Sequence, residues 1–380
     1  MYRIGNEEIE AVANVIRSGS LFKTMGTVTS DCEALLKQIF NVDFAILMTS
    51  GKAAIISALT SLGIGPGDEV IVPGYTYIAT AIAVTAVGAI PVIAEVDETM
   101  TIDVDDVRRK TNRHTKAIIP VNIQGFPSNL AELCALGIPI VEDSCQADGG
   151  GYKGRRLGSI GEAGTLSFNQ FKILTTGEGG AFLTNDRRLF ERALIFHDSS
   201  AIAYFGNQLS GVKEPQFCGN EYRTNNITAA ILTEQLKKLD RLLYDLRSNK
   251  RKLQKRLEPE FAFAPSHDPE GDCGTTLAFR FSSEAKARSF AEKSGGTVPI
   301  DTGKHVYSNW TPVLEKRGAL NPAMDPYKMP VNQNLNHNYS IDMCPRTLDY
   351  LSRTVYIMIN PDWTDNEVEN KAAILKDFRT

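Results

Sequence analysis

The sequence predicts an α/β fold, with a large domain whose mostly parallel sheet is covered by helices on both faces and a smaller C-terminal α/β domain. Short apolar runs alternate with segments of helical periodicity from about residue 44 to residue 142. Such alternation implies parallel strands joined by crossover helices. After about Tyr244 the pattern becomes less regular. We therefore expect a large domain over residues 1–244 and a small domain over 245–380.

The elements of the large domain follow from the spacing of apolar residues. Helices are expected where these residues recur every three or four positions, at 6–17, 29–41, 51–62, 78–87, 104–111 and 130–136. Strands are expected at the short apolar runs 44–49, 68–73, 90–96, 117–121, 138–142, 164–168 and 181–184. Because parallel strands end at the same edge of a sheet, several strand ends should meet at one crevice.

The elements of the small domain are fewer. A basic helix crosses residues 247–256, and a strand at 276–281 precedes a helix at 284–293. A long irregular stretch rich in Asn, Pro and aromatic residues separates these from the final strand at 355–359 and the final helix at 366–378.

Composition excludes several classes of protein. A hydrophobic content of 42% with 23% charged residues is typical of a globular protein, and a net charge of -4 argues against nucleic acid as the main partner. The six cysteines and five histidines are dispersed without zinc-ligand spacing, so we expect no metal and a reducing, cytoplasmic location. No apolar run approaches the roughly 20 residues that span a bilayer, and the amphipathic N-terminal helix does not resemble a signal peptide.

Lys172 is the first candidate for chemistry. It lies between the strand-like run 164–168 and a glycine-rich turn, and a second strand-like run follows at 181–184. Desolvation in such a place disfavours the ammonium form of a lysine. A neutral lysine amine reacts with carbonyl compounds, including pyridoxal phosphate. A lysine on an exposed turn is the simpler alternative.

Asp143 is the second candidate. It follows the buried run 138–142, and the carboxyl ends of parallel strands are where α/β folds bind ligands. A carboxylate there can keep the pyridine nitrogen of pyridoxal phosphate protonated, which makes the ring an electron acceptor. A helix N-cap is an equally simple explanation.

A phosphate site is predicted at Ser50-Gly51-Lys52, between a strand and a helix, where free backbone amides face the crevice. The hydroxyl of Ser167 is a further candidate ligand. An ordinary N-cap at Ser50 is the alternative. The segment from Gly63 to Gly67 follows a helix and precedes a strand, which is the reverse of a dinucleotide-binding loop.

Taken together, these segments resemble the DegT/DnrJ family of sugar aminotransferases, which are fold type I pyridoxal phosphate enzymes. The resemblance covers nearly the whole chain. It is carried by the blocks SGKAAI at 50–55, GPGDEVIVPGYTYIAT at 65–80, VEDSCQADGG at 141–150, GTLSFNQFKILTTGEGGAFLTND at 164–186 and NEYRTNNITAAI at 220–231.

The resemblance implies roles for individual residues. Lys172 would bind the cofactor aldehyde covalently and move the proton, and Asp143 would pair with the pyridine nitrogen. Gln146 would lie beside the ring hydroxyl and Tyr77 would stack on the ring. The phosphate would be held by Ser50, Gly51 and Ser167.

The resemblance also implies a homodimer with shared active sites, in which the block around Arg223 reaches the partner's phosphate. Two residues depart from the family pattern. Lys52 stands where the family usually has threonine, and Glu221 where it usually has asparagine. We expect Lys52 to meet the phosphate and Glu221 to pair with it across the interface, with Asn220 as another source of the amide. The alternative is that Lys52 faces solvent.

The implied reaction moves an amino group from L-glutamate or glutamine to a keto or aldehyde sugar, as in polysaccharide or natural-product biosynthesis. Segments that match family loops of the sugar pocket contribute Phe22, Lys23, His197 and Ser199, and Arg223 is a further candidate ligand for substrate anions. The C-terminal part, with His305, Tyr307 and Trp310, is loosely similar to aminotransferases that form 8-amino-3,8-dideoxy-octulosonate. The alternatives are ion pairs for Lys23, His197 and Arg223, and packing for His305, Tyr307 and Trp310.

Two other functions stay open. Relatives that dehydrate sugars replace the lysine with histidine, so the presence of Lys172 disfavours a sugar dehydratase or other eliminase. The intact Lys172 and Asp143 disfavour a non-catalytic protein that only binds the cofactor or a sugar.

Overall fold

The computed structural model describes residues 2–198, 211–258 and 260–378. Of the seven helices that the structure describes in the N-terminal part, the first six were predicted from periodicity, with ends that differ by one or two residues, and the seventh was not predicted. They are α1 (Asn6–Ser18), α2 (Val28–Phe40), α3 (Gly51–Ser61), α4 (Ala79–Ala86), α5 (Val104–Lys110), α6 (Leu130–Cys134) and α7 (Arg187–His197). Side-chain caps explain several of these starts, because Ser50, Asp103, Asn129 and Asp186 each accept hydrogen bonds from backbone amides of the first turn.

The C-terminal part begins with a long helix, α8 (Asn226–Leu257), and continues with α9 (Glu284–Ser294), α10 (Thr311–Leu314), α11 (Pro345–Ser352) and α12 (Asp365–Asp377). The irregular stretch predicted between 298 and 338 contains mainly short 3-10 turns, several of which start at a proline. Proline suits the first position of such a turn because its φ is already fixed.

Twelve strands are present in the described part of the chain. They are β1 (Phe44–Met48), β2 (Glu69–Pro73), β3 (Ile90–Ala94), β4 (Thr115–Ile118), β5 (Val141–Asp143), β6 (Gly151–Tyr152), β7 (Arg155–Arg156), β8 (Ala163–Ser167), β9 (Gly180–Thr184), β10 (Ala262–Phe263), β11 (Thr276–Arg280) and β12 (Thr354–Met358).

The central sheet has the order β3-β2-β4-β5-β8-β9-β1. Strands β3, β2 and β4 are parallel, as are β5 and β8, and the parallel bridges Ile118–Ile140 and Val121–Asp143 join the two groups. Strand β9 is antiparallel to both of its neighbours. A connection without a crossover helix joins β8 to β9, and such a connection permits only antiparallel pairing here. Lys172 lies in this connection.

Apolar side chains pack on both faces of this sheet. Ile46 and Val70 belong to one buried cluster, whereas their neighbours Leu47 and Ile71 belong to another. Successive side chains of a strand point to opposite faces, so both faces of the sheet are covered. The α/β architecture with a mostly parallel, doubly covered sheet is thus as predicted.

Helix α8 packs against helices from both ends of the chain. It is 32 residues long, and α1, α2 and α12 pack against it. The boundary predicted at Tyr244 falls inside this helix. The buried apolar residues of the helix belong to the same cluster as Leu277 and Phe279 of β11. The division into two domains therefore stays a prediction.

The C-terminal part packs closely on the strand ends of the central sheet. Its own sheet is antiparallel, in the order β10-β11-β12. The backbone amide of Thr76 donates to the carbonyl of His305 at 2.9 Å, and the amide of Tyr307 donates to the carbonyl of Gly74 at 2.9 Å. These bonds place His305 next to the loop that follows β2. Among the residues that the structure describes, no helix is both long and apolar enough to cross a membrane.

Candidate active site

A cavity of about 500 Å³ lies where β5, β8 and the start of α3 meet. It brings together residues from six separate parts of the chain. Its lining includes Ser50, Gly51, Lys52, Thr76, Tyr77, Thr80, Asp143, Cys145, Gln146, Ser167, Asn169, Phe171, Lys172, Glu178 and His305. Most of the cofactor ligands expected from the sequence are therefore neighbours in space.

Asp143 is held rigidly at the end of β5. Its side chain is buried, and its Oδ2 accepts a hydrogen bond of 2.7 Å from Oγ1 of Thr80 on α4. Its Oδ1 accepts from the backbone amide of Cys145 at 3.2 Å. Two donors fix the carboxylate while each oxygen retains capacity for a further bond. Thr80 was not among the residues singled out from the sequence, because a threonine in a predicted helix carries no signal of this contact.

Lys172 lies on a tightly bonded turn. The amide of Thr176 donates to the carbonyl of Phe168 at 2.9 Å, and the amide of Lys172 donates to the carbonyl of Asn169 at 3.0 Å. The next side chain, Ile173, is buried in the core, so the backbone of this turn is anchored. Lys172 itself is half-buried and lines the cavity.

The N-terminus of α3 forms a close-packed end of the cavity. A Cβ atom at Gly51 would lie 2.6 Å from Sγ of Cys145 and 2.8 Å from Cβ of Ser167, and one at Gly180 would lie 2.3 Å from the carbonyl carbon of Ser50. Only glycine is tolerated at such distances. The first amides of a helix have no partner within the helix, and the positive end of the helix dipole attracts anions.

This end of the cavity suits a phosphate. Ser50 caps α3 by accepting from the amide of Ala53 at 3.1 Å, and Cβ of Ser167 lies beside Gly51. Lys52, the second residue of α3, lines the same cavity and is exposed. The hydroxyls of Ser50 and Ser167, the first amides of α3 and the Lys52 side chain are the groups here that could hold an anion.

The rings of His305 and Tyr77 contact each other at the cavity, with centroids 5.3 Å apart and planes tilted by 53°. Nδ1 of His305 lies 3.2 Å from the carbonyl oxygen of Thr302, so Nδ1 must carry the hydrogen and Nε2 is left as an acceptor. Burial lowers the pKa of His305, and the nearby positive charge of Lys172 lowers it further, whereas the Thr302 carbonyl raises it. His305 is therefore a neutral acceptor near neutral pH.

A second cavity of about 220 Å³ adjoins the first. The two share Gln146, Phe171, Lys172 and His305, and the second is also lined by Gln124, Ile173, Thr275 and Met358.

Gln124 organises the second cavity. Its backbone adopts the left-handed conformation, with φ of 52°, and its amide donates to Oε1 of Gln146 at 3.2 Å. Its carbonyl accepts from Oγ1 of Thr275 at 2.5 Å, and its side-chain oxygen accepts from Oγ1 of Thr276 at 3.2 Å. A left-handed conformation is uncommon for a residue other than glycine, so these contacts hold it in place. The sequence contains no sign of this arrangement.

Lys23 and His197 lie outside the cavity and pair with each other. Nζ of Lys23 is 3.0 Å from Nε2 of His197 and 3.0 Å from Oε1 of Glu33. Nδ1 of His197 donates to the carbonyl of Leu194 at 2.8 Å, so Nε2 accepts from the lysine. Burial, reinforced by the charge of Lys23, lowers the pKa of His197 to about 3. Lys23 therefore forms an ion pair, as the alternative expectation had it, and neither Lys23 nor His197 lines the cavity.

Arg223 forms a second charged group next to the start of α3. It makes ion pairs of 2.7 Å with Asp198 and 2.6 Å with Glu221, and its guanidinium stacks on the ring of Phe22 at 4.7 Å. Neither Phe22 nor Arg223 lines the cavity. The amide of Asn220 donates to the carbonyl of Phe196 at 2.7 Å. Ser199 lies outside the described residues.

Glu221 thus has an ion-pair partner within its own chain. The predicted pairing of Glu221 with Lys52 across a subunit interface involves a second chain and stays a prediction. An amide of Thr49 that donates to the carbonyl of Tyr222 at 2.9 Å places this segment directly beside the anion site.

Tyr307 has a packing role instead of the expected substrate contact. Its ring is fully buried, and its hydroxyl donates to the carbonyl of Ile341 at 2.8 Å while accepting from the amide of Cys344 at 2.9 Å. Trp310 is likewise buried, and its indole donates to the carbonyl of Lys304 at 2.9 Å. A substrate cannot reach a side chain enclosed in this way.

A larger cavity of about 650 Å³ lies between α8 and the C-terminal sheet. Two of its cations are already paired, Lys250 with Asp272 at 2.7 Å and Arg251 with Glu270 at 2.9 Å. In the described part of the chain, no group of three or more His, Cys, Asp or Glu side chains is arranged to hold a metal. The cavity around Lys172 and Asp143 is therefore the best candidate for chemistry.

The chain is similar to a known protein family and to several solved structures. Residues 2–293 match the sequence model of the DegT/DnrJ/EryC1/StrS aminotransferase family. Among solved structures, DesV of S. venezuelae, determined with a ketimine intermediate, is 26% identical, with 98% of this chain and 94% of that chain covered and a TM-score of 0.77. The structure of 3-amino-5-hydroxybenzoic acid synthase is 22% identical, with 100% and 97% covered and a TM-score of 0.80.

A third similar structure has a different activity. It is the E coli GDP-4-keto-6-deoxy-D-mannose-3-dehydratase with bound hydrated pyridoxal phosphate, which is 20% identical, with 99% and 98% covered and a TM-score of 0.79. The agreement over the whole chain confirms the fold type I architecture predicted from the sequence.

Proposed function

Because the chain belongs to the DegT/DnrJ/EryC1/StrS aminotransferase family, we propose that it transfers an amino group from L-glutamate or glutamine to a keto or aldehyde sugar. Its cofactor is pyridoxal 5'-phosphate, on which the family depends. One observation carries the proposal: a single cavity contains Lys172, Asp143 and the N-terminus of α3. These supply an amine, a carboxylate and an anion site, which are the three groups that this cofactor requires.

The lining of the cavity offers a group for each part of the cofactor. The close-packed amides of α3, with Ser50, Ser167 and Lys52, would hold the phosphate, and Tyr77 would lie against the ring. When bound, the cofactor draws electrons from the substrate carbon into its ring. Asp143 would hold the proton on the ring nitrogen, because an ionised carboxylate next to that nitrogen favours its cationic form.

Lys172 has two tasks in this proposal. Its amine would hold the cofactor aldehyde covalently until the amino donor replaces it. The released amine would then take the proton from the donor carbon and deliver it within the same cavity. The anchored turn from Phe168 to Thr176 keeps the lysine backbone fixed during both steps. His305 assists by staying neutral, because a second positive charge would oppose protonation of Lys172.

The second cavity supports a sugar as the amino acceptor. Its described lining offers the side-chain amides of Gln124 and Gln146, the hydroxyl of Thr275 and the acceptor nitrogen of His305. Such neutral polar groups match the donors and acceptors of sugar hydroxyls. Lys172 lines both cavities, so a carbonyl carbon of a sugar seated there would be next to the amine.

Nitrogen tracing tests the proposal. The purified protein with pyridoxal phosphate and ¹⁵N-labelled glutamate is incubated with a panel of neutral keto sugars, aldehyde sugars and sugar acids, including nucleotide-linked forms. A sugar that carries ¹⁵N, formed together with 2-oxoglutarate, is expected. Labelled ammonium with a deoxy sugar would identify the dehydratase alternative. Failure of the protein to bind the cofactor at all would reject the enzyme assignment.

The proposal includes a homodimer and a cytoplasmic location. Tyr77 and Phe171 at the cavity are 43% and 84% exposed in the single chain, as expected for apolar groups that a second subunit covers. All six cysteines are free thiols, which agrees with a reducing compartment. Light scattering coupled to gel filtration measures the mass directly, and a monomer with full activity would contradict shared sites.

A further inference from the structure

The largest of the cavities described above has no part in the proposed reaction. It has a volume of about 650 Å³ and lies between α8 and the C-terminal sheet. Part of its lining is apolar and contains Phe126, Phe263, Pro265, Leu277 and Ala278. Another part is one face of α8, where residues three, four and eight positions apart lie together, and contains Arg247, Lys250, Arg251 and Lys255. A cavity of this size can hold a small organic molecule.

The α8 face has two cations that no carboxylate neutralises. Lys250 and Arg251 belong to the ion pairs given above. Arg247 donates from Nε and Nη2 to two backbone carbonyls, at 2.6 and 3.1 Å, and Lys255 is exposed and has no ion pair within the described part of the chain. Glu258, the remaining carboxylate of the lining, accepts from a side-chain amide at 3.3 Å. The lining therefore keeps an excess of positive charge, which attracts anions.

The apolar part of the lining offers flat surfaces. Phe126 is buried, and its ring packs edge-on against that of Tyr356, with centroids 6.0 Å apart. Nζ of Lys250 lies 5.1 Å from the centroid of the same ring and helps to hold it in place. Aromatic side chains favour contact with other flat, apolar groups. The cavity thus suits an organic anion with a flat apolar body.

The turn over residues 123–126 supplies lining residues to both this cavity and the second cavity. Phe126 follows Gln124 by two residues at the end of the same turn. The amide of Cys273 donates to the carbonyl of Gly125 at 3.1 Å, and a Cβ atom at Gly125 would lie 2.6 Å from Cβ of Cys273. Oγ1 of Thr275 donates to the carbonyl of Gln124. A ligand that presses on Phe126 would therefore act on the backbone that positions Gln124.

We propose that this cavity binds a small organic anion with a flat apolar body, and that the bound anion stiffens the turn over residues 123–126. The anionic group pairs with Arg247, whose Nη1 has no hydrogen bond to a described residue, and Lys255 attracts it to the same helix face. The apolar body lies on Phe126. Because the same turn carries Gln124, binding in one cavity alters the other. The binding step does not depend on the proposed function, since Lys172 takes no part in it.

Calorimetric titration with 2-naphthoate tests the site. The protein is first saturated with pyridoxal 5'-phosphate, which fills the cavity around Lys172, and the neutral 2-naphthamide is titrated in parallel. The naphthoate is expected to bind at least about tenfold more tightly than the amide, because only the carboxylate forms charge-assisted contacts. Equal affinities, or no saturable binding of the naphthoate, would overturn the inference.

Two charge reversals locate the bound anion. Lys255→Glu places a negative charge in the lining and is expected to weaken binding of the naphthoate about fivefold or more. Lys293→Glu makes the same change at an exposed lysine of α9 outside the lining, and is expected to leave binding unchanged. Arg247→Met removes the direct partner and is expected to weaken binding about tenfold. The same affinity in Lys255→Glu and Lys293→Glu would reject the site.

Hydrogen exchange of a peptide that covers residues 121–128 tests the effect on the turn. Saturating naphthoate is expected to slow amide exchange there about threefold or more, because a stiffened turn opens less often. Lys255→Glu at the same naphthoate concentration is expected to show less slowing. Unchanged exchange in the saturated parent protein would overturn the link between the two cavities. Failure to bind pyridoxal 5'-phosphate would contradict only the proposed function, because the two charge reversals still locate the naphthoate.

Discussion

Oγ1 of Thr80 lies 2.7 Å from Oδ2 of Asp143 and donates a hydrogen bond to it. The two residues are 63 positions apart and lie on α4 and β5. Thr80 also contacts Oγ1 of Thr76 at 2.9 Å, so a short chain of hydroxyls supports the carboxylate. A hydrogen bond to a charged group contributes about 1.5–3 kcal/mol. Asp143 is therefore oriented by a residue outside the strand that carries it.

Replacement of Thr80 by valine tests this support. Thr80→Val keeps the shape and removes the hydroxyl, so the rate of amino transfer from glutamate is expected to fall about tenfold or more. A single-turnover measurement of 2-oxoglutarate formation follows this step. Thr80→Ser retains the hydroxyl and is expected to keep most of the rate. Equal rates for the valine and serine variants would show that the bond to Asp143 is unimportant.

Removal of the amine at position 172 should abolish covalent attachment of the cofactor. In Lys172→Ala, borohydride treatment is expected to leave no cofactor on the peptide, and amino transfer is expected to slow by at least about a hundredfold because the proton carrier is lost. Lys116→Ala removes an exposed lysine remote from the cavity and serves as the control. Retention of the covalent label in the alanine variant would place the attachment elsewhere.

Lys52 should bind the phosphate of the cofactor and no other part. Lys52→Ala is expected to weaken binding of pyridoxal 5'-phosphate about tenfold, because a charge-assisted contact is lost, while binding of pyridoxal without phosphate is unaffected. Fluorescence titration of the cofactor-free protein measures both constants. Equal weakening for the two compounds would indicate a general disturbance of α3.

The predicted contact between Lys52 and Glu221 has a separate test. If the two side chains pair across an interface, the change Glu221→Gln should have less effect on cofactor binding in a Lys52→Ala background than alone. Additive effects would instead favour the ion pair of Glu221 with Arg223 seen within the chain at 2.6 Å.

His197 should make the fold sensitive to acid. Its folded-state pKa is lowered to about 3, so between pH 6.5 and about 3 only the unfolded chain binds the proton. Protonation of this histidine therefore favours the unfolded chain. The free energy of unfolding falls by about 1.4 kcal/mol for each pH unit of acidification in that range. Denaturant unfolding of His197→Asn is expected to show a shallower pH dependence than the parent, with the half-buried His114→Asn as control. An unchanged slope in His197→Asn would contradict the neutral, buried state.

Gln124 should affect the amino acceptor and not the amino donor. Gln124→Leu and Thr275→Val each remove a polar group from the second cavity. The KM for an accepted sugar is expected to rise about tenfold in each variant, which corresponds to the loss of one hydrogen bond. The half-reaction with glutamate supplies the internal control and is expected to remain unchanged. If both half-reactions slowed equally, the second cavity would not be the binding site of the amino acceptor.

Much of the architecture was predictable from local sequence. Apolar periodicity located every helix and strand expected between residues 44 and 142, because the spacing of buried residues follows directly from helix and strand geometry. The ends were less accurate. Strand β4 was expected at 117–121 and occupies Thr115–Ile118, since the extent of a strand depends on the hydrogen bonds of its neighbours.

The candidate site was predictable in part. Lys172 and Asp143 were singled out from their places beside buried strands, and the sheet brings both to one cavity. Tyr307 and Lys23 were expected at the substrate from the family resemblance, yet both are buried against other partners. A polar side chain looks the same in sequence whether it faces a ligand or a neighbouring loop.

The sequence by itself determined the class of fold, the strand order along the chain and the two residues most suited to the chemistry, since these depend on residues close together in the chain. Only the tertiary structure decided that Thr80 supports Asp143 and that Gln124 borders a second cavity. These contacts join segments far apart in the chain. Their existence depends on how whole elements pack, which no local pattern encodes.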